Sequence, residues 1–230
     1  MNTVNPPPEI DYDGFQEEHP NFALLAELLA ETDGQVTRLL DLMDGQDDYP
    51  SSQWIDKLFT RYPWVNGFIV TDADGNIIDR HPEHPLKRIS APLSFTAEWR
   101  NTFVKTALDP SELGDELYIS TPYFEGADFK GLLIVHFDPT RLMADFCPQP
   151  DKLIFVDPGA AVFSLDPALD KAAVLALPWE EVLKEEVQGY VEVNGKHYSW
   201  LARYIGKDRF VYLTESIDPN LPVEESFWSF

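Results

Sequence analysis

Asp72-Ala73-Asp74-Gly75, inside the stretch VNGFIVTDADGNIIDRHP at residues 65–82, has the acidic spacing that opens a calcium loop, and Glu83 stands where such a loop needs its bidentate carboxylate. The residues between do not fit, because Ile77, Ile78 and Pro82 occupy positions that an oxygen-lined loop keeps open and polar. Asp and Gly tolerate positive φ and the flanks are β-branched or aromatic, so a hairpin turn is expected and no metal. The five histidines, His19, His81, His84, His136 and His197, include no i, i+4 pair of the zincin kind. His81 and His84 are separated by Pro82, which forbids a shared helix, and are expected in a solvated loop. The single cysteine, Cys147, excludes an intrachain disulfide and a cysteine zinc cluster and reads as a packing residue. No GxSxG, Walker A or GxGxxG motif occurs, and the acid pairs Glu180-Glu181 and Glu185-Glu186 read as solvated helix charge. Neither catalysis nor a cofactor is expected.

A second set, between residues 99 and 136, offers binding chemistry instead. Trp99 and Arg100 supply an aromatic face and a cation suited to a carboxylate, although a solvated role fits Arg100 equally. Side chains alternate along a strand, so Tyr118 and Ser120 share one face of ELYISTPYF, and Thr121 and Tyr123 share the other. His136 falls in GLLIVHFD on the face of Leu132 and Ile134, which otherwise reads as core. It is either a core histidine bonded to a neighbour or the lining of a small cavity.

The elements that position this set follow from periodicity. Phe22, Leu25, Leu28, Leu29, Val36, Leu39, Leu40 and Met43 recur at helical spacing, as one helix or as two meeting at Thr32-Asp33-Gly34. The stripe fits either a cover for the sheet or a homodimer seam. A short helix is predicted over 51–61, stopped by Pro63. GFIVTD and GNIIDR then read as strands, TAEWRNTFVKTAL as a helix with Trp99, Phe103 and Ala107 on one face, and ELYISTPYF and GLLIVHFD as two more strands. After PTRLMADFCPQPD, read as a Pro-bounded connector, the plan repeats: KLIFVD and AAVFSLD, a helix broken at Pro178, and strands in GYVEVN, HYSWLARYI and RFVYLTES, with turns at Asn194-Gly195 and Gly206-Lys207-Asp208. Turns too short for parallel crossovers make this an α+β fold of antiparallel sheets with packed helices.

Composition excludes several classes. At 230 residues, 44% apolar and 13% aromatic, the chain can bury a sizeable core. Seventeen basic against forty acidic residues give a formal charge of −23, which repels nucleic acid and anionic lipid. No window approaches a membrane span, and the N-terminus lacks the regions of a signal peptide, so the sequence as it stands reads as cytoplasmic; with a leader ahead of it, it would read as periplasmic.

WVNGFIVTDADGNII, AEWRNTFVKTA, LYISTPYF and GLLIVHFDPTRL, in that order, resemble the Cache domains, the PAS-like extracytoplasmic sensor modules of chemoreceptors and sensor kinases. KLIFVDPGAAVFS to VEVNGKHYSWLARYIGKDRFVYLTE resembles the second module of a double Cache domain, and the likeness runs from about Asn21 to Ser216. The resemblance implies an arm at 1–20, an N-terminal helical segment at 21–62, a first module at 63–148, a second, smaller one at 149–216 and a tail at 217–230. It also implies non-enzymatic binding of a small molecule in the first module, near Trp99, Arg100, Tyr118, Ser120, Tyr123 and His136. Trp99 matches the Trp of the family's Arg-x-Trp-Tyr segment, whose Arg and Tyr are replaced by Ala97 and Arg100. His136 stands where amino-acid-binding members hold an amino group with an acid, which shifts the expectation to a small organic acid. A signalling protein is the expected further partner. The alternative is an acidic interaction protein with a filled core, docking through the aromatics Phe227, Trp228 and Phe230 of VEESFWSF.

Overall fold

The computed structural model describes residues 20–84, 102–107, 114–205 and 208–219. Helix α1 (Pro20–Asp44) is unbroken through Thr32-Asp33-Gly34. Leu25, Leu28, Leu29, Thr32, Val36, Leu39 and Met43 line its buried face at steps of three and four, and the first-turn residue Asn21 is buried too. Helix α2 (Ser52–Arg61) begins at Ser51, whose hydroxyl accepts the Trp54 N–H at 3.2 Å.

Strands β1 (Val65–Thr71), β2 (Ile77–His81), β3 (Phe103–Ala107), β4 (Glu116–Glu125) and β5 (Asp128–Phe137) form one antiparallel sheet in the order β2-β1-β5-β4-β3. Helix α3 (Pro139–Phe146), capped by Asp138, leads to β6 (Ile154–Asp157) and β7 (Ala161–Ser164), then α4 (Lys171–Leu175), α5 (Trp179–Glu185), β8 (Gln188–Val193), β9 (Lys196–Ile205) and β10 (Asp208–Ser216). The second sheet runs β7-β6-β10-β9-β8, the same order when counted from its own first strand.

Two predicted elements are corrected. Residues 103–107 are a strand, not the end of a helix: Val104 and Thr106 are β-branched, and pairing with Glu116–Ser120 satisfies a ladder that β4 would otherwise leave open. The Pro-bounded connector contains α3, because Pro139 stands at the first helical turn, where its missing N–H costs nothing, and the Asp138 carboxylate accepts the Thr140 N–H at 2.8 Å. His81 ends β2 rather than lying in a loop, with Nε2 3.3 Å from the Asp79 carboxylate. The Asp72–Gly75 turn is a hairpin: Asp72 Oδ1 accepts the N–H groups of Asp74 and Asn76 at 3.0 and 2.8 Å, and Gly75 takes φ +83°. Asn194 and Gly195 close the β8–β9 hairpin, both at positive φ.

One face of each sheet packs against α1 in a shared core. Phe68, Ile119 and Val135 enter it from the first sheet, and Phe155, Phe210 and Tyr212 from the second. The apolar stripe of α1 is spent on covering the sheets. Arg203 on β9 grips Asp33 of α1 through two bonds, Nε at 2.8 Å and Nη2 at 2.6 Å. Cys147 is buried after α3, and burial pushes its thiol up, away from the reactive thiolate.

The edge strand β3 of the first sheet also meets the ends of two inner strands of the second, β6 and β10. Thr106 on β3 donates its hydroxyl to the Asp157 carboxylate at the end of β6, and the Val104 N–H reaches Asp208 Oδ2 at 2.7 Å. Burial raises the Asp157 carboxyl, the Thr106 bond opposes that shift, and the neighbouring Asp208 charge adds to it. A carboxyl raised in the folded state costs stability when ionised, above its folded value, and the cost is gone below the ordinary aspartate value of about 3.9. Asp157→Asn keeps a carbonyl for Thr106, so it is expected to raise the melting temperature at pH 7, with the gain fading as the medium is acidified through that range. A variant melting lower than wild type at pH 7 would contradict this reading.

Candidate functional site

The outer face of the first sheet, turned away from α1, carries the polar set. Pairing places Gly67, His136, Tyr118 and Lys105 across β1, β5, β4 and β3 on one rung, with Ile69, Ile134 and Ser120 on the next. Tyr118, Ile69, Leu132 and Ile134 form an apolar cluster on this face. Arg80 pairs with Ile69 from the edge strand β2 and shares the face, so a cation stands on each edge strand. Both Arg80 and Lys105 are exposed.

His136 is 3% exposed and its Nδ1 lies 3.0 Å from Glu116 Oε2. Glu116, 2% exposed, also accepts from Asn66 Nδ2 at 2.6 Å through its other oxygen. A carboxylate only accepts, so this contact places a proton on Nδ1. The Tyr118 ring stacks beside the imidazole, centroids 5.1 Å apart at 13°. The imidazole has room because residue 67 has no side chain: a Cβ there would stand 2.2 Å from His136 Nε2. Ser120 is fully buried, yet its hydroxyl has no hydrogen-bond partner among the described residues. A buried hydroxyl left unpaired costs free energy, and a bound molecule with a polar edge would remove that cost.

These groups do not form a serine–histidine relay. Nδ1 faces Glu116 on β4, while Nε2 lies over Gly67 on the β1 side of β5, away from Ser120.

Of the residues singled out in the sequence, the structure brings Tyr118, Ser120 and His136 together. Tyr123 is on the opposite face, as the pleat dictates: it packs in the shared core, and its hydroxyl donates to the Thr71 carbonyl at 3.1 Å. Trp99 and Arg100 lie outside the described residues, as does the VEESFWSF tail. Glu116, Asn66 and Gly67 belong to the site and were not singled out. Glu116 lay within reach of the alternation argument, two residues before Tyr118, but the roles of Asn66 and Gly67 depend on strand pairing.

The corresponding outer face of the second sheet is closed by its own side chains. Trp179 of α5 and Trp200 of β9 meet edge to face with centroids 6.0 Å apart, and Val156, Leu183 and Val211 fill the rest. A small gap at the junction of the sheets, lined by Thr32, Val36, Leu117, Phe137, Leu142 and Tyr212, lies on the α1 side and is almost wholly apolar.

A long helix shared by two antiparallel sheets, one with a polar outer face and one with a filled one, is the kind of α+β architecture that the sequence resemblance implies. No family model and no curated protein matches the sequence. Solved structures match in fold. The ligand-binding domain of the Pseudomonas aeruginosa PAO1 amino-acid chemoreceptor PctC, in complex with GABA, has a TM-score of 0.54 at 13% identity, over 85% of this chain and 95% of that one. That of PctB from the same organism, with L-Gln, has a TM-score of 0.54 at 10% identity over 86% and 90% of the two chains. An extracellular ligand binding receptor from Desulfohalobium retbaense gives 0.52 at 12% identity over 85% of this chain, which spans only 40% of that receptor. At such identities the likeness is one of fold, and it agrees with the resemblance read in the sequence. Among the described residues, no helix is long and apolar enough to cross a membrane.

Proposed function

We propose that this chain is a non-enzymatic sensor domain that binds a small organic acid on the outer face of its first sheet, against Tyr118, Ser120 and His136. In this reading the two sheets are two PAS-like modules, residues 63–148 and 149–216, behind the helical segment 21–62, and the state of the first is reported to a signalling partner. The observation that carries it is on the first sheet's outer face, which among the described residues no tryptophan fills as Trp179 and Trp200 fill the second: a buried Ser120 hydroxyl with no hydrogen-bond partner among them lies beside an oriented imidazole.

A ligand bound only by the native state stabilises it by mass action, about 2.7 kcal/mol at a hundredfold excess over Kd. For a chain of this size that is roughly 5–10 °C of melting temperature. A thermal-shift screen of carboxylates, amino acids, polyamines and purines is expected to give a saturable rise from one class, abolished by His136→Ala and reduced by Ser120→Val. A rise that survives both substitutions undiminished would place the ligand elsewhere.

A further inference from the structure

The outer face of the first sheet is cationic at its rim, although the protein as a whole carries −23. Arg80 and Lys105 make no side-chain hydrogen bond or ion pair among the described residues. The one carboxylate placed by strand pairing beside Tyr118 and His136, Glu116, has both oxygens engaged, Oε2 by His136 Nδ1 and Oε1 by Asn66 Nδ2. An incoming ammonium group would lose its hydration and find no free acceptor anion there among the described residues. An incoming carboxylate meets a cation at either edge of the sheet, Arg80 on β2 or Lys105 on β3, and a hydroxyl or carbonyl oxygen meets the Ser120 hydroxyl, which can donate or accept.

Resting on the sensor reading above, we infer that the site is specific for hydroxy or keto acids and excludes the corresponding amino acids, and that His136 is the specificity-determining residue. By occupying Glu116, the imidazole removes the acceptor that an amino group needs. Its absence would uncover that acceptor, so His136→Ala converts the preference.

Isothermal titration of the whole protein with two near-isosteric pairs, L-lactate against L-alanine and L-malate against L-aspartate, tests this. A hydrogen bond lost with a charged group left unpaired corresponds to roughly tenfold or more in affinity. Wild type is expected to bind the hydroxy acid of at least one pair at least tenfold more tightly than its amino partner, and His136→Ala to narrow or invert that ratio. Lys105→Ala and Arg80→Ala, both at exposed positions, are expected to fold normally, and at least one of them to weaken the hydroxy acid about tenfold. Equal or tighter binding of the amino acids by wild type overturns the specificity and leaves the sensor reading standing. A thermal shift that comes only from purines or polyamines overturns the specificity and, with it, the organic-acid part of the sensor reading. Hydroxy-acid affinity unchanged in both cation variants also overturns the specificity. A flat result with every class of compound counts against both.

Discussion

Gly67→Ala is expected to cost about 3 kcal/mol of stability and to abolish ligand binding, although it adds a single methyl group. The new Cβ would stand 2.2 Å from Nε2, 2.8 Å from Cε1 and 3.1 Å from Cδ2 of His136, so the ring must leave its place. When it moves, the 3.0 Å contact with Glu116 breaks and the stack on Tyr118 is lost. A buried carboxylate is then deprived of one of its partners, and that is the larger part of the expected loss. A double-mutant cycle isolates the cause: with His136→Ala already present there is no ring to displace, so the two changes together should cost clearly less than their sum. Urea denaturation of the four proteins reads this directly. A Gly67→Ala protein within about 0.5 kcal/mol of wild type would mean that the imidazole is not held as described.

The second large effect is expected at the clasp between α1 and the second sheet. Arg203→Ala leaves the Asp33 carboxylate, with only 9% of its side chain exposed, without its bidentate partner, and removing one member of a buried pair costs about 3–5 kcal/mol. Asp33→Ala should cost a similar amount. The pair replaced together should lose less than the two singles combined, because neither charge is then stranded. A loss below about 1 kcal/mol in both singles would show that solvent screens the pair as it does at a surface. Since α1 also covers the first sheet, the damage is expected in one cooperative transition, not in a separate melting of the second sheet.

Much of the architecture was legible as periodicity. The stripe from Leu25 to Met43, the hairpin at Asp72–Gly75 and the Asn194-Gly195 turn depend on residues close in sequence, and there local chemistry and global fold agree. Residues 103–107 were misread because Phe103 and Ala107 are also one helical turn apart; the strand exists because β4 offers it a ladder, which no local window contains. At the site, alternation gave Tyr118 and Ser120 a common face and already set Tyr123 on the other. The Glu116–His136 contact joins residues 20 apart and the Asn66–Glu116 bond residues 50 apart, so both wait on the register of three strands. Gly67 carries no side chain to notice. Its importance lies in what the neighbouring strand puts above it.

Helix α1 is about 37 Å long and emerges from the ribosome before either sheet it covers. The side chain of Asn21 bonds both the N–H and the carbonyl of Ile217, 196 residues later. At ordinary rates of synthesis the apolar stripe between them waits roughly ten to forty seconds for its last strand. During that interval Leu25, Leu28, Leu29 and Leu39 are a ready binding surface for a holdase chaperone. The nascent chain should therefore be captured most strongly before β10 has been made and released once it docks, with the heavy acidic charge keeping unfinished chains apart in the meantime.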